Sequence, residues 1–227
     1  MPIAMWRRRE PVVILGAGGF GRNILDVIDA LNRQRPRYHV VGFLDPDEHA
    51  LPVTTRPGGA VIGTDDDLAK LDARFVISVA STTLRRELDR AVVRAGKQVV
   101  DALVHPTCSI GADVDLGAGA VLTPGVRVAS NVTVGRHTHV NFNSSVGHDA
   151  VLEDFVTVFP QVAISGYATL EQGVTMGTGS VVIPGVRIGA GATVGAGAVV
   201  VRDVPPHVTV VGVPAEPFVS RSNASAS

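Results

Sequence analysis

Between Ile110 and Pro205 one six-residue pattern runs without insertion, and it restricts the fold more tightly than any other feature of the chain. Steps of six from Ile110 meet Leu116, Leu122, Val128, Val134, Val140, Val146, Leu152, Val158, Ile164, Leu170, Met176, Val182, Ile188, Val194 and Val200, apolar every time. Four positions after each stands a small or β-branched residue, from Val114 and Ala120 through Thr138 and Ser144 to Ala198 and Val204. Glycine often follows the apolar residue, as at Gly111, Gly117, Gly135, Gly147, Gly189 and Gly195. A fixed short period of strand plus turn marks a parallel β-helix. Three short strands close one triangular coil of eighteen residues, with the apolar residue toward the axis and the small one beside the next corner. The sixteen hexads make about five coils, roughly 25 Å of prism at the ordinary inter-strand spacing. A β-sandwich of valine-rich strands would need loops of varied length, and the unbroken phase speaks against it.

The 227 residues, 45% of them hydrophobic, suffice for two modest domains, each with its own core. A formal net charge of -1 gives no global field that would recruit nucleic acid or an anionic membrane. The one basic run, Arg7-Arg8-Arg9, is short and reads as a solvated tail. Cys108 is the only cysteine, so no internal disulfide forms and a reducing compartment is expected. Met1 to Trp6 is too short for the apolar part of a signal peptide, and no apolar run reaches membrane-spanning length. A soluble cytoplasmic protein is expected, with residues 219–227 as a polar, disordered tail.

Ahead of the repeat lies a different pattern. Val12-Val13-Ile14-Leu15 reads as a buried strand and runs into Gly16-Ala17-Gly18-Gly19-Phe20-Gly21. A helix from Arg22 to Asn32 and a strand from His39 to Leu44 follow, ending at Asp45. Strand, glycine turn, helix, strand and acid form the context in which Gly-x-Gly-x-x-Gly binds a phosphate. The glycines let the backbone approach, and the helix N-terminus offers free N–H groups. Asp45 could accept hydrogen bonds from a sugar hydroxyl or a base. Strands at Phe75–Ala80 and Gln98–Val104, with a helix at Thr83–Ala95, complete a Rossmann-like α/β unit over residues 11–104. It is one mononucleotide-binding half, which suits a nucleotide-sugar or small nucleotide better than NAD. A glycine turn used only for strand–helix packing is the alternative.

Most of the seven histidines have plain explanations. His39, His49 and His207 fall in or beside loops, and His105-Pro106 marks the entry into the β-helix. His137 and His139 flank the inward Thr138, and without a third ligand at matching spacing no metal is expected there. His148 differs, because it sits at an outward position of its hexad beside Asp149. An exposed imidazole whose tautomer a carboxylate fixes is a general base suited to neutral pH. The alternative is an incidental surface pair.

These segments together resemble the bacterial sugar acyltransferases of the left-handed β-helix class that carry an N-terminal nucleotide-sugar domain. That group includes N-acetyltransferases of nucleotide-linked amino sugars and the sialic acid O-acetyltransferases. The resemblance runs from Val12 to about Phe218. It rests on Val13-Ile14-Leu15-Gly16-Ala17-Gly18-Gly19, Gly42-Phe43-Leu44-Asp45, His105-Pro106, Val146-Gly147-His148-Asp149-Ala150-Val151-Leu152-Glu153-Asp154-Phe155 and Val211-Gly212-Val213-Pro214-Ala215. It implies a left-handed parallel β-helix over residues 105–218 that transfers an acyl group, acetyl above all, from acyl-CoA. His148 would be the general base and Asp149 its orienter. Gly166 would supply an oxyanion N–H, and Thr157 would lie near the acyl group. Thr178 and Ala196 would line pantetheine, with Pro214 and Ala215 near the adenine. Gly16, Gly18, Gly19, Phe20, Gly21, Asp45, Pro46, Ser81 and Asn141 would meet the acceptor. A homotrimer is implied, with each active site shared by two chains.

The departures from the family pattern touch specificity. Phe20 replaces a common His, Pro46 a second polar residue, Ala80-Ser81 a Gly-Asn pair, and Thr157, followed by Phe159, a second His. Glu216 stands where a cation often meets the CoA phosphate, which leaves Arg187 or Arg202 for that task. The expected function is therefore acyl-CoA-dependent N-acylation of a nucleotide-linked amino sugar. The alternatives are O-acylation of a free sugar or related small molecule, and a non-catalytic β-helix scaffold.

Overall fold

The computed structural model describes residues 9–47 and 55–218. Arg7, Arg8, His49 and the segment 219–227 lie outside the described residues. The chain divides into two compact units, Met1–Pro106 and Thr107–Ser227.

The first unit is an open parallel sheet. Its strands are β1 (Glu10–Leu15), β2 (Tyr38–Leu44), β3 (Val61–Gly63) and β4 (Arg74–Ile77), in the order β3-β2-β1-β4. Helix α1 (Gly19–Gln34) begins inside the glycine loop, three residues earlier than the hydrophobic pattern indicates, and α2 spans Thr82–Arg94. Ile24, Leu25, Val27 and Ile28 form the buried stripe of α1, and Val12, Val13, Ile14 and Leu15 are buried along β1. Expected strand Gln98–Val104 is broken: Val99 makes a lone bridge to Phe75, and only Leu103–Val104 is extended as a strand. The short β3 and the 3-10 turn at Asp65–Lys70 carry too few residues for a legible period.

The second unit is the parallel β-helix. Two-residue strands stack into three flat faces, and residues pair with those eighteen positions on, as in Thr133↔Val151↔Thr169↔Arg187. The last coil is shorter and pairs at sixteen, as in Ile188↔Val204 and Thr193↔Thr209, so the expected hexad phase does not hold to Pro205. The first face holds Ser109–Ile110, Arg127–Val128, Ser145–Val146, Ala163–Ile164, Val181–Val182 and Val199–Val200. The second runs from Asp115–Leu116 to Arg187–Ile188, and the third includes His139–Val140, Thr157–Val158, Thr175–Met176 and Thr193–Val194. From Val128 to Val200 every hexad's apolar residue is at most 3% exposed, so the stack builds a continuous core. Each such side chain contributes about 1.5–3 kcal/mol on leaving water. Ile110, in the first hexad, remains 37% exposed.

The turn chemistry is split between two positions of the hexad. The residue three past the apolar one adopts a left-handed conformation, as at Asn131 (φ 58°), Asp149 (φ 58°), Phe155 (φ 61°) and Tyr167 (φ 59°). The glycine directly after the apolar residue has another task. A Cβ at Gly135 would lie 2.5 Å from Asp154 N and from Glu153 C in the next coil. These glycines admit the neighbouring backbone, whereas the left-handed residues turn the chain.

Candidate active site

His148 and Asp149 sit at the corner between the first and second faces. There the left-handed Asp149 lets two consecutive side chains face outward together. Asp149 Oδ2 lies 2.7 Å from His148 Nδ1, and the His148 side chain is 59% exposed. This pairing favours the tautomer with Nδ1 protonated and leaves Nε2 as the acceptor. The coils on either side supply two residues that were not among the expected ones. Asn131 Nδ2 donates to Asp149 Oδ1 at 2.5 Å, and the Tyr167 ring meets the His148 ring edge to face at 5.1 Å. Hydrogen bonds from Asn131 first, then His148, with a further one from Tyr167, hold the Asp149 carboxyl below the usual range. Asn131 and Tyr167 stand eighteen residues before and after Asp149. The coil length was therefore the signal that could have found them.

Gly166 lies in the coil that follows His148, and a Cβ there would come within 2.8 Å of His148 Cε1 and 2.9 Å of Nε2. Among the described residues nothing accepts a hydrogen bond from the Gly166 N–H. The same position of other hexads is capped by a carboxylate. Arg136 N donates to Asp154, Gln172 N to Glu153 and Ala190 N to Glu171. The His148 corner thus combines an oriented imidazole with an uncommitted backbone donor.

In the first unit the glycine loop is held from two sides. Gly16 (φ 104°) is in a conformation other residues rarely adopt, and Ser78 Oγ donates to Leu15 O at 2.8 Å and Gly16 O at 2.5 Å. Gly21 brings α1 onto the sheet, since a Cβ there would reach Gly16 O at 2.5 Å and Phe43 Cε1 at 3.0 Å. Gly18 and Gly19 are exposed at the start of α1, whose first turn carries no acid, so its positive end is open to an anion. Asp45 is already engaged: Ala17 N donates to Oδ2 at 2.7 Å and Asp47 N to Oδ1 at 2.9 Å. Its carboxylate closes the loop against the end of β2. Phe20 is half-buried in the first turn of α1, and Pro46 is exposed. Ser81 caps α2 by accepting from Leu84 N at 3.3 Å, while the buried Arg85 donates to Ala80 O at 3.1 Å. Desolvation pulls that guanidinium down to about 9.

A cleft of about 610 Å³ also opens in this unit, beside Glu10, Arg35, Arg37 and Tyr38. It lies at the N-terminal ends of β1 and β2. Ligands of open parallel sheets bind at the opposite ends, where the glycine loop is. Nearby Arg37 and Arg74 are bound up with Glu10 and Asp101.

Comparison with known proteins decides the family. A profile of the PglD N-terminal domain matches residues 11–92. GDP-perosamine N-acetyltransferase of Escherichia coli O157:H7 is 31% identical over 211 residues, 89% of this chain and 93% of that protein. PerB from Caulobacter crescentus, solved with CoA and GDP-perosamine, matches with a TM-score of 0.83 at 30% identity, over 92% of this chain and 97% of that one. The acetyltransferase domain of PglB from Neisseria gonorrhoeae FA1090, solved with acetyl coenzyme A, gives 0.84 at 28%, over 92% and 100%. The chain belongs to the hexapeptide-repeat sugar N-acetyltransferases. It is an enzyme of that family, with a Rossmann-like first domain and a left-handed parallel β-helix.

The remaining residues that the acetyltransferase resemblance implied are dispersed around the prism. Thr178 and Ala196 are exposed and stack one above the other at the corner between the third and first faces. Pro214 follows Val213 through a cis peptide bond, and Ala215 N donates to Val199 O at 2.8 Å, which folds this segment over the last coil. Thr157 is 2% exposed on the third face. Asn141 is 7% exposed, and its amide donates to Val158 O at 2.8 Å. Within one chain, therefore, only Gly166 joins the His148–Asp149 pair. The two cations suggested for the CoA phosphate are both in ion pairs, Arg187 with Glu171 and Arg202 with Glu216. His137 and His139 are buried, His137 stacking on Phe155 at 5.5 Å. Among the described residues no three metal-ligating side chains converge.

Proposed function

We propose that this enzyme transfers the acetyl group of acetyl-CoA to the amino group of a nucleotide-linked amino sugar, with a GDP-linked sugar the first acceptor to test. Residues 11–104 would bind the nucleotide-sugar and residues 105–218 carry the transfer. The reading is carried by the 2.7 Å His148–Asp149 pair, whose free Nε2 edge lies against the Gly166 backbone. The sugar amine attacks the thioester carbonyl while His148 Nε2 takes its proton, and Asp149 stabilises the imidazolium. The Gly166 N–H donates to the developing oxyanion. The C–S bond then breaks, and the imidazolium returns the proton to the leaving CoA thiolate. No covalent enzyme intermediate is required, because orientation of two bound substrates supplies much of the rate.

The GDP choice follows from two relatives that match most of this chain and carry GDP-perosamine in their name or complex, the Escherichia coli enzyme and PerB. The PglB domain, which matches as fully, makes the UDP- and dTDP-linked sugars the necessary comparison. A homotrimer in the cytoplasm completes the reading. The first face leaves an apolar wall of Ala163, Val181 and Val199, edged by Ile183 and Val201, which are 36% and 41% exposed.

Thioester consumption measured against GDP-, UDP- and dTDP-linked amino sugars and free sugars tests the assignment. Turnover with one nucleotide-amino sugar, lowered about 10²–10⁴-fold in His148→Ala, is expected for a general base. Turnover confined to free sugars, or undiminished in the variant, would overturn it.

A further inference from the structure

We infer that Asn131 is a positioning residue for this reaction: it holds Asp149 in the one orientation that keeps His148 Nε2 turned outward and unprotonated. The inference rests on His148 being the base and extends that reading to the neighbouring coil. Asp149 presents two carboxylate oxygens, and rotation about its Cβ–Cγ bond changes which partner each one faces. Asn131 occupies Oδ1 at 2.5 Å, and Oδ2 then faces His148 Nδ1 at 2.7 Å. Backbone bonds fix the partners: Asp149 N donates to Ser130 O at 3.2 Å, and Tyr167 N to His148 O at 2.9 Å. Tyr167 closes the far side of the imidazole, edge to face at 5.1 Å. Without the Asn131 donor the carboxylate keeps only the weaker hold of Tyr167 besides His148, so it can rotate about Cβ–Cγ, and an imidazole 59% exposed can turn with it. Nδ1 and Nε2 would then exchange places, and part of the population would present an N–H to an amine that needs an acceptor.

A plainer role for Asn131 is to supply the left-handed turn (φ 58°), as Asn143 (φ 57°) does at another corner. The test separates the two roles. Asn131→Gly keeps the turn, since glycine adopts that conformation freely, and removes only the amide. Asn131→Asp keeps the side chain's shape and replaces its donor with a second acceptor. Both variants should melt near the wild-type temperature. Long-range ¹H–¹⁵N spectra of the ring, with the His148 resonance assigned by its loss in His148→Ala, should show the Nδ1–H tautomer in the wild type and a mixture in Asn131→Gly. The kcat of both should fall about tenfold or more, part of the 10²–10⁴ that a general base supplies. KM for each substrate should stay within about twofold, because no substrate contact is lost. An unchanged tautomer, or wild-type kcat in Asn131→Gly, overturns the inference. If His148→Ala keeps full turnover the base reading fails instead, and the spectra still decide whether Asn131 sets the ring.

Discussion

The missing Cβ of Gly166 controls how closely the His148 ring can lie against the next coil. A methyl there would come within 2.9 Å of Nε2, the nitrogen that must take the amine's proton. The two atoms it would strike hardest are the far end of a side chain, so the ring can swing aside, and the third, the His148 carbonyl oxygen at 3.1 Å, need give only a few tenths of an ångström. Gly166→Ala should therefore lose at least about tenfold in kcat, since a displacement near 1 Å can cost 10² in rate. Its melting temperature should fall by no more than about 4 °C, the shift expected for roughly 1 kcal/mol in a domain of this size. Steady-state kinetics beside a melting curve would check both halves. Full activity would show that the ring does not use this contact. A different pair of residues leaves the Gly166 N–H free: the positions from which Glu153, Glu171 and Asp154 cap its counterparts are held here by Gly147 and Pro184, neither of which has a carboxylate.

At the scale of the coil, glycine has the opposite importance. The Gly135 Cβ would meet Asp154 N and Glu153 C at 2.5 Å, both backbone atoms locked into the stack. Nothing there can swing aside, so Gly135→Ala should cost about 1–3 kcal/mol as an overpacked site. Its melting temperature should drop by roughly 2–12 °C, with kcat per folded molecule unchanged. An unaltered melting curve would show that the coils can separate locally.

This contrast also explains what was legible beforehand. The hexad carries its own register, so the apolar positions from Val128 to Val200 and the small positions beside them could be read directly. The corner was half legible. His148 and Asp149 announced themselves as neighbours in sequence, whereas Asn131 and Tyr167 join them only through the eighteen-residue coil. In the first unit the glycine loop and α1 were plain. The tie from Ala17 N to Asp45 was not, because it joins residues 28 apart that no local period relates. Gln98-Val99-Val100 read as a strand because valines favour extended backbone, yet the segment meets the sheet at Phe75 alone, whose N–H donates to Gln98 O at 3.0 Å and whose O accepts from Val100 N at 2.9 Å.

For the whole molecule, the width of the first face separates two groups of expected site residues. Thr178 and Ala196 stand at one edge of it, and His148 and Gly166 at the other. If the former bind CoA and the latter carry the chemistry, three copies that turn their apolar first faces toward a common threefold axis would bring each copy's CoA edge beside the next copy's His148 edge. Light scattering should then give three times the 23.6 kDa chain mass. Val181→Asp combined with Val199→Asp should yield folded monomers without turnover, since charge on that wall opposes its burial. Mixing subunits distinguishes a shared site from a merely adjacent one. His148→Ala lacks the base, and Ala196→Trp blocks the CoA edge, so each variant alone should be inactive. In trimers assembled at random from equal amounts of both, about a quarter of the interfaces join an intact His148 to an intact Ala196 edge when closed symmetry repeats one contact. Recovery of about a quarter of the wild-type rate is the expected result. No recovery in mixed trimers of verified composition would mean that each chain completes its own site, and CoA would have to follow a path within one chain.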